Sequence, residues 1–421
     1  MTNDSFENDK LPRLKEFFLA RQPILNRKQS LIAYELLFRD SHVGGARVTD
    51  DRFATASVIA HASELGLQNV IGNLRGFVNV DASVLMGDFV SFLPANQVVL
   101  EILETVKVTD ELIKRVAELG AAGYKFALDD VIADSEDLQR LMPWVSIIKI
   151  DITGMNNNDL TLVSNQFTHN NKELLAEKVE TLEQFQICLN LGFNYFQGYY
   201  FAKPVIISGK KLSPSQLAIV QLMSQLTSDA DTLEIERSIK QDATLGLSLL
   251  KLVNTPAVGV GYRIESLRQA LATLGRRQLQ RWLQILLYAD TRNSQQSGSP
   301  LLLLATTRGK LLELIAQHVE PKNRTMAETA FTVGMMSLMD SLFGLPTEKI
   351  LEHIPVVDEI ANALLHRTGF YGDLLKLVEY VETIEESRDL LVTALQKLKL
   401  TNEDLYKMQL NAFEWSNSLT G

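Results

Sequence analysis

The chain has 421 residues with 46% hydrophobic and 22% charged residues and a net charge of -10, enough apolar material for two domains or one large decorated barrel. The acidic balance argues against a broad DNA-binding surface, which works by releasing phosphate counterions through clustered Lys and Arg. Cys188 is the only cysteine, which excludes an intrachain disulfide and a cysteine-rich zinc site.

Residues 1–16 read as a polar N-terminal tail without signal-peptide order, and no apolar run approaches the roughly 18 residues needed to span a bilayer. A cytoplasmic protein without membrane insertion is expected. From 17 to 204, β-like runs alternate with helix-like segments. The predicted strands are Phe17–Ile24, Leu31–Phe38, Phe77–Val80, Val98–Leu103, Tyr124–Leu128, Ile147–Ile152, Leu174–Val179 and Tyr195–Phe201. Amphipathic segments at Arg52–Leu65, Asp110–Leu119, Ser135–Leu141, Asn158–His169 and Thr181–Leu191 lie between them. This alternation predicts a TIM-like (β/α)8 barrel. The first two runs are too close for a helix between them, so an antiparallel hairpin around Asn26–Ser30 is expected there. A linker at 205–212 leads to helical periodicity over 213–421, shown by Leu245, Leu249, Leu252 and Val253, and a second, all-α domain is predicted.

Polar residues recur at the strand ends: Glu35, Asn79, Asp81, Glu101, Asp129, Asp130, Lys149, Asp151, Glu177 and Gln197. An isolated Asp-Asp pair is more readily a helix cap or turn. Carboxylates in successive buried strands, by contrast, call for pairing or a metal. Glu35, Asn79, Glu101 and Asp129 offer hard oxygen ligands suited to Mg²⁺ or Mn²⁺, with Asp130 placed to help hold a second ion. Two such ions activate water and stabilise the leaving oxygen of a phosphodiester. In that chemistry Lys149 would offset transition-state charge, and Glu177 would orient or deprotonate water. Arg39, on the strand face of Glu35, would clamp a phosphate. Taken singly, Arg39 reads equally as a surface charge and Lys149 as a snorkelling strand residue.

The ordered motifs Arg21-Gln22-Pro23-Ile24, Glu35-Leu36-Leu37-Phe38-Arg39, Leu128-Asp129-Asp130, Lys149-Ile150-Asp151, Ala176-Glu177-Lys178-Val179-Glu180-Thr181 and Gln197-Gly198-Tyr199-Tyr200-Phe201-Ala202-Lys203-Pro204 resemble the signature of an EAL domain. That resemblance, over about residues 17 to 204, implies a barrel that cuts cyclic di-GMP to linear pGpG with two divalent ions. It implies metal ligands at Glu35, Asn79, Glu101 and Asp129, and a second-metal position at Asp130. Catalytic or metal-water roles fall on Lys149, Glu177 and Gln197, and ligand contacts on Gln22 and Arg39. Glu180 matches a carboxylate that anchors the loop after the Asp pair. Three departures stand out. Leu36 replaces the usual Ala, and Lys178 replaces the usual Gly, with crowding or an added charge expected at that turn. Val131-Ile132-Ala133-Asp134-Ser135-Glu136-Asp137 replaces a glycine-containing loop.

Residues 212–382 resemble an HDOD domain, carried by Ser213-Pro214-Ser215-Gln216-Leu217, Lys240-Gln241-Asp242-Ala243, Leu249-Leu250-Lys251-Leu252-Val253-Asn254 and Ile264-Glu265-Ser266-Leu267-Arg268-Gln269-Ala270. HDOD domains are helical relatives of HD phosphohydrolases that lack the His-Asp ligand pair, and no histidine here is followed by Asp. The resemblance implies an interaction or output module with a protein partner not named by the sequence. EAL barrels commonly pair, which is compatible with a homodimer. Two functional readings stay open at this point. The preserved carboxylates, Lys149 and Glu177 favour a cyclic di-GMP phosphodiesterase; the altered loop after Asp130 favours a catalytically inactive adaptor that binds cyclic di-GMP or a protein.

Overall fold

A computed structural model of the chain describes residues 17–40, 67–129, 131, 136–168, 171–198, 214–228, 230–254, 264–288, 300–352, 354 and 356–419. It contains two compact units, residues 1–201 with 377–421, and residues 202–376. The expected tail 1–16, the helix Arg52–Leu65 and the linker 205–212 lie outside the described residues.

In the first unit eight strands close into a barrel in chain order. They are β1 (Phe17–Asn26), β2 (Leu31–Asp40), β3 (Arg75–Val80), β4 (Val98–Ile102), β5 (Lys125–Leu128), β6 (Ile147–Asp151), β7 (Glu173–Glu177) and β8 (Tyr195–Phe196). From β2 to β8 neighbours run parallel, whereas β1 is antiparallel to both β2 and β8. The reversal has a local cause. The Asn26 side-chain oxygen accepts the N–H groups of Lys28 at 2.9 Å and Ser30 at 3.0 Å, while Gln29 takes φ 58°, turning the chain back within four residues. The parallel crossovers use capped helices. Thr109 accepts from Leu112 N–H at the start of Asp110–Ala121, and Thr181 with Gln184 forms a capping box on Leu182–Asn190.

Period-two alternation aims one apolar residue per strand at the barrel axis. Ile24, Ala33, Phe77, Val99, Ala127, Ile147 and Leu175 form this layer, with Tyr195 packed against it. One pleat along, toward the carboxyl ends of the parallel strands, the next inward position is polar on every strand: Gln22, Glu35, Asn79, Glu101, Asp129, Lys149, Glu177 and Gln197. The apolar layer is thus the floor beneath a polar ring.

Among the described residues β1 meets β8 through Leu25↔Phe196 and Asn26↔Tyr195, and the helix Asn402–Ser418 packs against its first half. Gln409 donates to Leu19 O at 2.6 Å, and the Arg21 guanidinium lies over the rings of Tyr34 at 4.4 Å and Phe413 at 4.0 Å. Arg21 also donates to Val70 O and, at 3.3 Å, to the Asn417 side-chain oxygen. This departs from the expectation of one all-α domain over 213–421, since residues 377–421 group with the barrel. A contact spanning 390 residues leaves no local pattern from which to read it.

The second unit is helical, with Pro214–Thr227, Thr232–Gln241, Ala243–Val253, Leu267–Tyr288, Pro300–Val319, Arg324–Met336 and Asp358–His366 as its longer elements. Leu245, Leu249 and Val253 of the predicted stripe are buried. Gly275, at φ 73°, kinks the helix Leu267–Tyr288, which continues beyond it. Pro300–Val319 and Arg324–Met336 cross where two glycines meet: a Cβ on Gly334 would lie 2.6 Å from the Gly309 Cα. Among the described residues, no helix is long and apolar enough to cross a membrane.

Candidate active site

At the centre of the polar ring is the Lys149 ammonium. Its Nζ lies 2.8 Å from Asp129 Oδ1, 2.9 Å from Glu177 Oε1, 3.0 Å from Glu101 Oε1 and 3.5 Å from Glu35 Oε2. The lysine is 1% exposed and Glu101 0%. Asn79 donates to Glu35 Oε1 at 3.0 Å, and Gln197 donates to Glu35 Oε2 and Gln22 Oε1, each at 2.6 Å. Strand register explains the convergence: Gln22 faces Glu35 across β1–β2, and Asn79 faces Glu101 across β3–β4. Asp129, just past β5, is held by its N–H to Ile102 O at 3.1 Å.

One cation among four carboxylates leaves a negative cage. Burial, and then Glu35, Asp129 and Glu177, hold the Glu101 carboxyl well above its usual range despite Lys149. Glu177 is pushed up to about 8, first by burial and then by Asp129 and Glu35. Glu35 goes the other way: burial would raise it, but Lys149, Gln197 and Asn79 outweigh that and lower it. Burial would likewise discharge Lys149, yet the surrounding carboxylates raise it well above an ordinary lysine.

Among the described residues, several oxygens in this ring accept no hydrogen bond. Asn79 Oδ1, Gln197 Oε1 and Glu101 Oε2 are buried without a hydrogen bond, and Glu101 Oε1 has its ion contact to Lys149 without hydrogen-bond alignment. Buried acceptors left this way are costly unless a cation or donor takes them. With the ammonium at the centre, the described His, Cys, Asp and Glu side chains do not form a preassembled metal cage. The donor set of carboxylate and amide oxygens nevertheless fits a hard divalent cation.

Of the residues singled out from sequence, Gln22, Glu35, Asn79, Glu101, Asp129, Lys149, Glu177 and Gln197 are brought together. Asp130 and residues 132–135 of the altered loop lie outside the described residues, as does the side chain of Arg39. Val131, just beyond Asp130, is buried and donates its N–H to Lys149 O at 3.2 Å. Glu180 is exposed outside the ring, its N–H bonded to Gln184 Oε1 at 2.8 Å. Asp81 is a helix cap, accepting from Val84 N–H at 2.8 Å. Lys178 adopts φ 55° and its ammonium lies 2.7 Å from Asp151 Oδ2, a pairing that neither residue's local sequence signals.

An eight-stranded barrel with one reversed strand and a polar ring at the strand ends defines an EAL-type barrel, and comparison with known proteins places it further. Residues 7–204 match the EAL domain and residues 211–345 the HDOD domain. The chain is 32% identical over 409 residues to the uncharacterized protein YuxH of Bacillus subtilis, covering 96% of this chain and 98% of that one. It is 35% identical over 370 residues to the cyclic di-GMP phosphodiesterase CdgJ of Vibrio cholerae, covering 87% and 84% respectively. Among solved structures, Klebsiella pneumoniae BlrP1 in a manganese and cyclic di-GMP complex is similar at 24% identity and a TM-score of 0.38, over 46% of this chain and 57% of that one. The EAL domain of Mycobacterium smegmatis DcpA is similar at 25% identity and a TM-score of 0.34, over 43% and 88%. The chain belongs to the family of EAL-domain proteins that carry a C-terminal HDOD domain.

Proposed function

We infer that the protein is a cyclic di-GMP phosphodiesterase that opens its substrate to linear pGpG, with the HDOD domain as its interaction or output module. The observation that carries this reading is the polar ring, complete on all eight strands and rich in buried acceptor oxygens without donors. The activity named for CdgJ supports the same substrate here.

Glu35, Asn79, Glu101 and Asp129 would hold a divalent cation, Mg²⁺ or Mn²⁺, with Asp130 contributing to a second. Such ions, when bound, supply an acidified water and charge stabilisation at the leaving oxygen. The remaining work falls to the chain's own groups. Lys149 keeps the carboxylates from splaying and offers positive charge where negative charge develops on the phosphate. Glu177, with its elevated carboxyl, suits a group that takes a proton from the attacking water near neutral pH. Gln22 and Gln197 form a hydrogen-bonded pair that fixes Glu35 and lines the ligand side. Arg39 would clamp a phosphate, and Glu180 would anchor the loop after Asp130. A protein partner at the HDOD domain, a homodimer and a cytoplasmic location belong to the same reading.

The test is incubation of the purified protein with cyclic di-GMP and Mg²⁺ or Mn²⁺, beside Asp129→Asn. Linear pGpG from the wild type, and its loss in the variant, is the expected result. No product from the wild type, where a control phosphodiesterase turns over, overturns the reading in favour of a binding adaptor.

A further inference from the structure

We propose that Lys178 is a phosphate-contacting specificity residue, whose ammonium leaves Asp151 to pair with an anionic oxygen of the bound dinucleotide. This rests on the reading of the barrel as a cyclic di-GMP site.

The first observation is backbone conformation. Lys178 has φ 55°, in the left-handed region that unbranched L-residues seldom occupy. The chain around it is closely packed. Val179 donates its N–H to Gln197 O at 3.0 Å, and a Cβ on Gly198 would lie 2.3 Å from Val179 N and 2.4 Å from Val179 O. Glycine would sit at position 178 without strain. A lysine held in such a place next to the ring residue Glu177 points to a use for its side chain.

The second observation is where that side chain goes. Its ammonium lies 2.7 Å from Asp151 Oδ2, across β6–β7, where Asp151 and Glu177 are register partners. The lysine side chain is 59% exposed, unlike Lys149, which is sealed in the ring. Asp151 does not depend on Lys178 alone, because its Oδ1 accepts from Thr153 N–H at 2.8 Å. The ammonium can therefore depart without leaving Asp151 unsupported.

Charge gives the third argument. Glu35, Glu101, Asp129, Glu177 and Asp151 line or rim the site, while the buried Lys149 is already shared by four of them. Among the described residues these carboxylates outnumber the ammonium groups, and a dinucleotide adds two phosphates to them. An exposed ammonium on that rim, held by an exchangeable ion pair, offers a charge-assisted contact to a phosphate oxygen and keeps the rim neutralised beforehand.

The experiment measures KM and kcat for cyclic di-GMP with Mg²⁺ at low and high salt, for the full-length wild type, Lys178→Asn, Lys178→Gly and Lys178→Arg. Thermal unfolding is recorded on each. Asn and Gly accept a positive φ, so both variants are expected to unfold at or above the wild-type temperature. KM is expected to rise roughly tenfold in both, with kcat within about twofold and a weaker salt dependence of KM; Arg is expected to stay within about threefold. An unchanged KM in Lys178→Asn overturns the proposal, as does a fall in kcat at constant KM. If the wild type turns over and Lys178→Asn matches it, this inference fails alone. A wild type that neither binds nor cuts cyclic di-GMP removes the functional reading and this inference with it.

Discussion

Lys149 Nζ lies 3.0 Å from Glu101 Oε1 with both side chains sealed from solvent, so a fully buried ion contact sits at the middle of the site. It is an unbalanced one, because three further carboxylates share the same ammonium. Burial and its carboxylate neighbours together hold the Glu101 carboxyl well up, so the fold tolerates its charge poorly. Glu101→Gln is therefore expected to separate stability from activity. In chelator the variant should unfold no more easily than the wild type, while turnover with saturating metal falls on the order of 100-fold or more. Paired denaturation and hydrolysis measurements check this, and a variant that keeps wild-type turnover contradicts the role of Glu101 as a ligand.

Lys149→Met is expected to do the reverse to the folded state. Four carboxylates lose their shared counter-charge, and removing one partner of a buried ion cluster typically costs about 3–5 kcal/mol. Urea denaturation in chelator should register that loss. Added Mn²⁺ should restore stability more in the variant than in the wild type, because the cation then meets a cage with no competing ammonium. Equal Mn²⁺ stabilisation of the two proteins would argue that ligation does not involve these carboxylates.

The elevated Glu177 carboxyl makes a signed prediction about pH. Its folded value of about 8 stands above its ordinary 4.5, so the folded state holds the proton more tightly than the unfolded chain does. The resulting stabilisation is complete below the unfolded value and is lost as pH rises through the folded one. Metal-free wild type should lose stability between about pH 4.5 and pH 8. Glu177→Gln should flatten that limb, and an unchanged slope in the variant would assign the effect elsewhere.

In the helical unit, Gly334→Ala distinguishes packing from propensity. Alanine stabilises an open helical position by roughly 1 kcal/mol over glycine. Here the added Cβ would meet Gly309 backbone at 2.6–2.7 Å, so overpacking is expected to dominate and cost about 1–3 kcal/mol. Helical circular dichroism during unfolding reads the sign directly.

The barrel was legible because its pattern is local. Each strand is a short apolar run, and the polar ring follows the inward floor residue by one pleat: Ala33 to Glu35, Phe77 to Asn79, Val99 to Glu101, Ala127 to Asp129, Ile147 to Lys149, Leu175 to Glu177. Ordered EAL and HDOD motifs then supplied the chemistry that periodicity alone does not. What was not legible depends on tertiary neighbours. Lys178, at φ 55°, lies beside the close approach of Gly198 to Val179, and its pairing with Asp151 reaches across from β7's end to β6. The sandwich of Arg21 between Tyr34 and Phe413 joins opposite ends of the sequence. Asp81 illustrates the converse, a strand-end carboxylate whose local use as a helix cap competes with any place in the ring.

Gln409 donating to Leu19 O has a consequence for the order in which the molecule is made. Domains commonly begin to fold from the N-terminus during synthesis. Among the described residues, β1, the strand carrying Gln22, packs against the helix Asn402–Ser418, which is translated after every strand of the barrel. That contact therefore waits until the rest of the barrel has been made, and a chain from which Asn402–Ser418 is deleted carries every ring residue but loses the packing behind one of them.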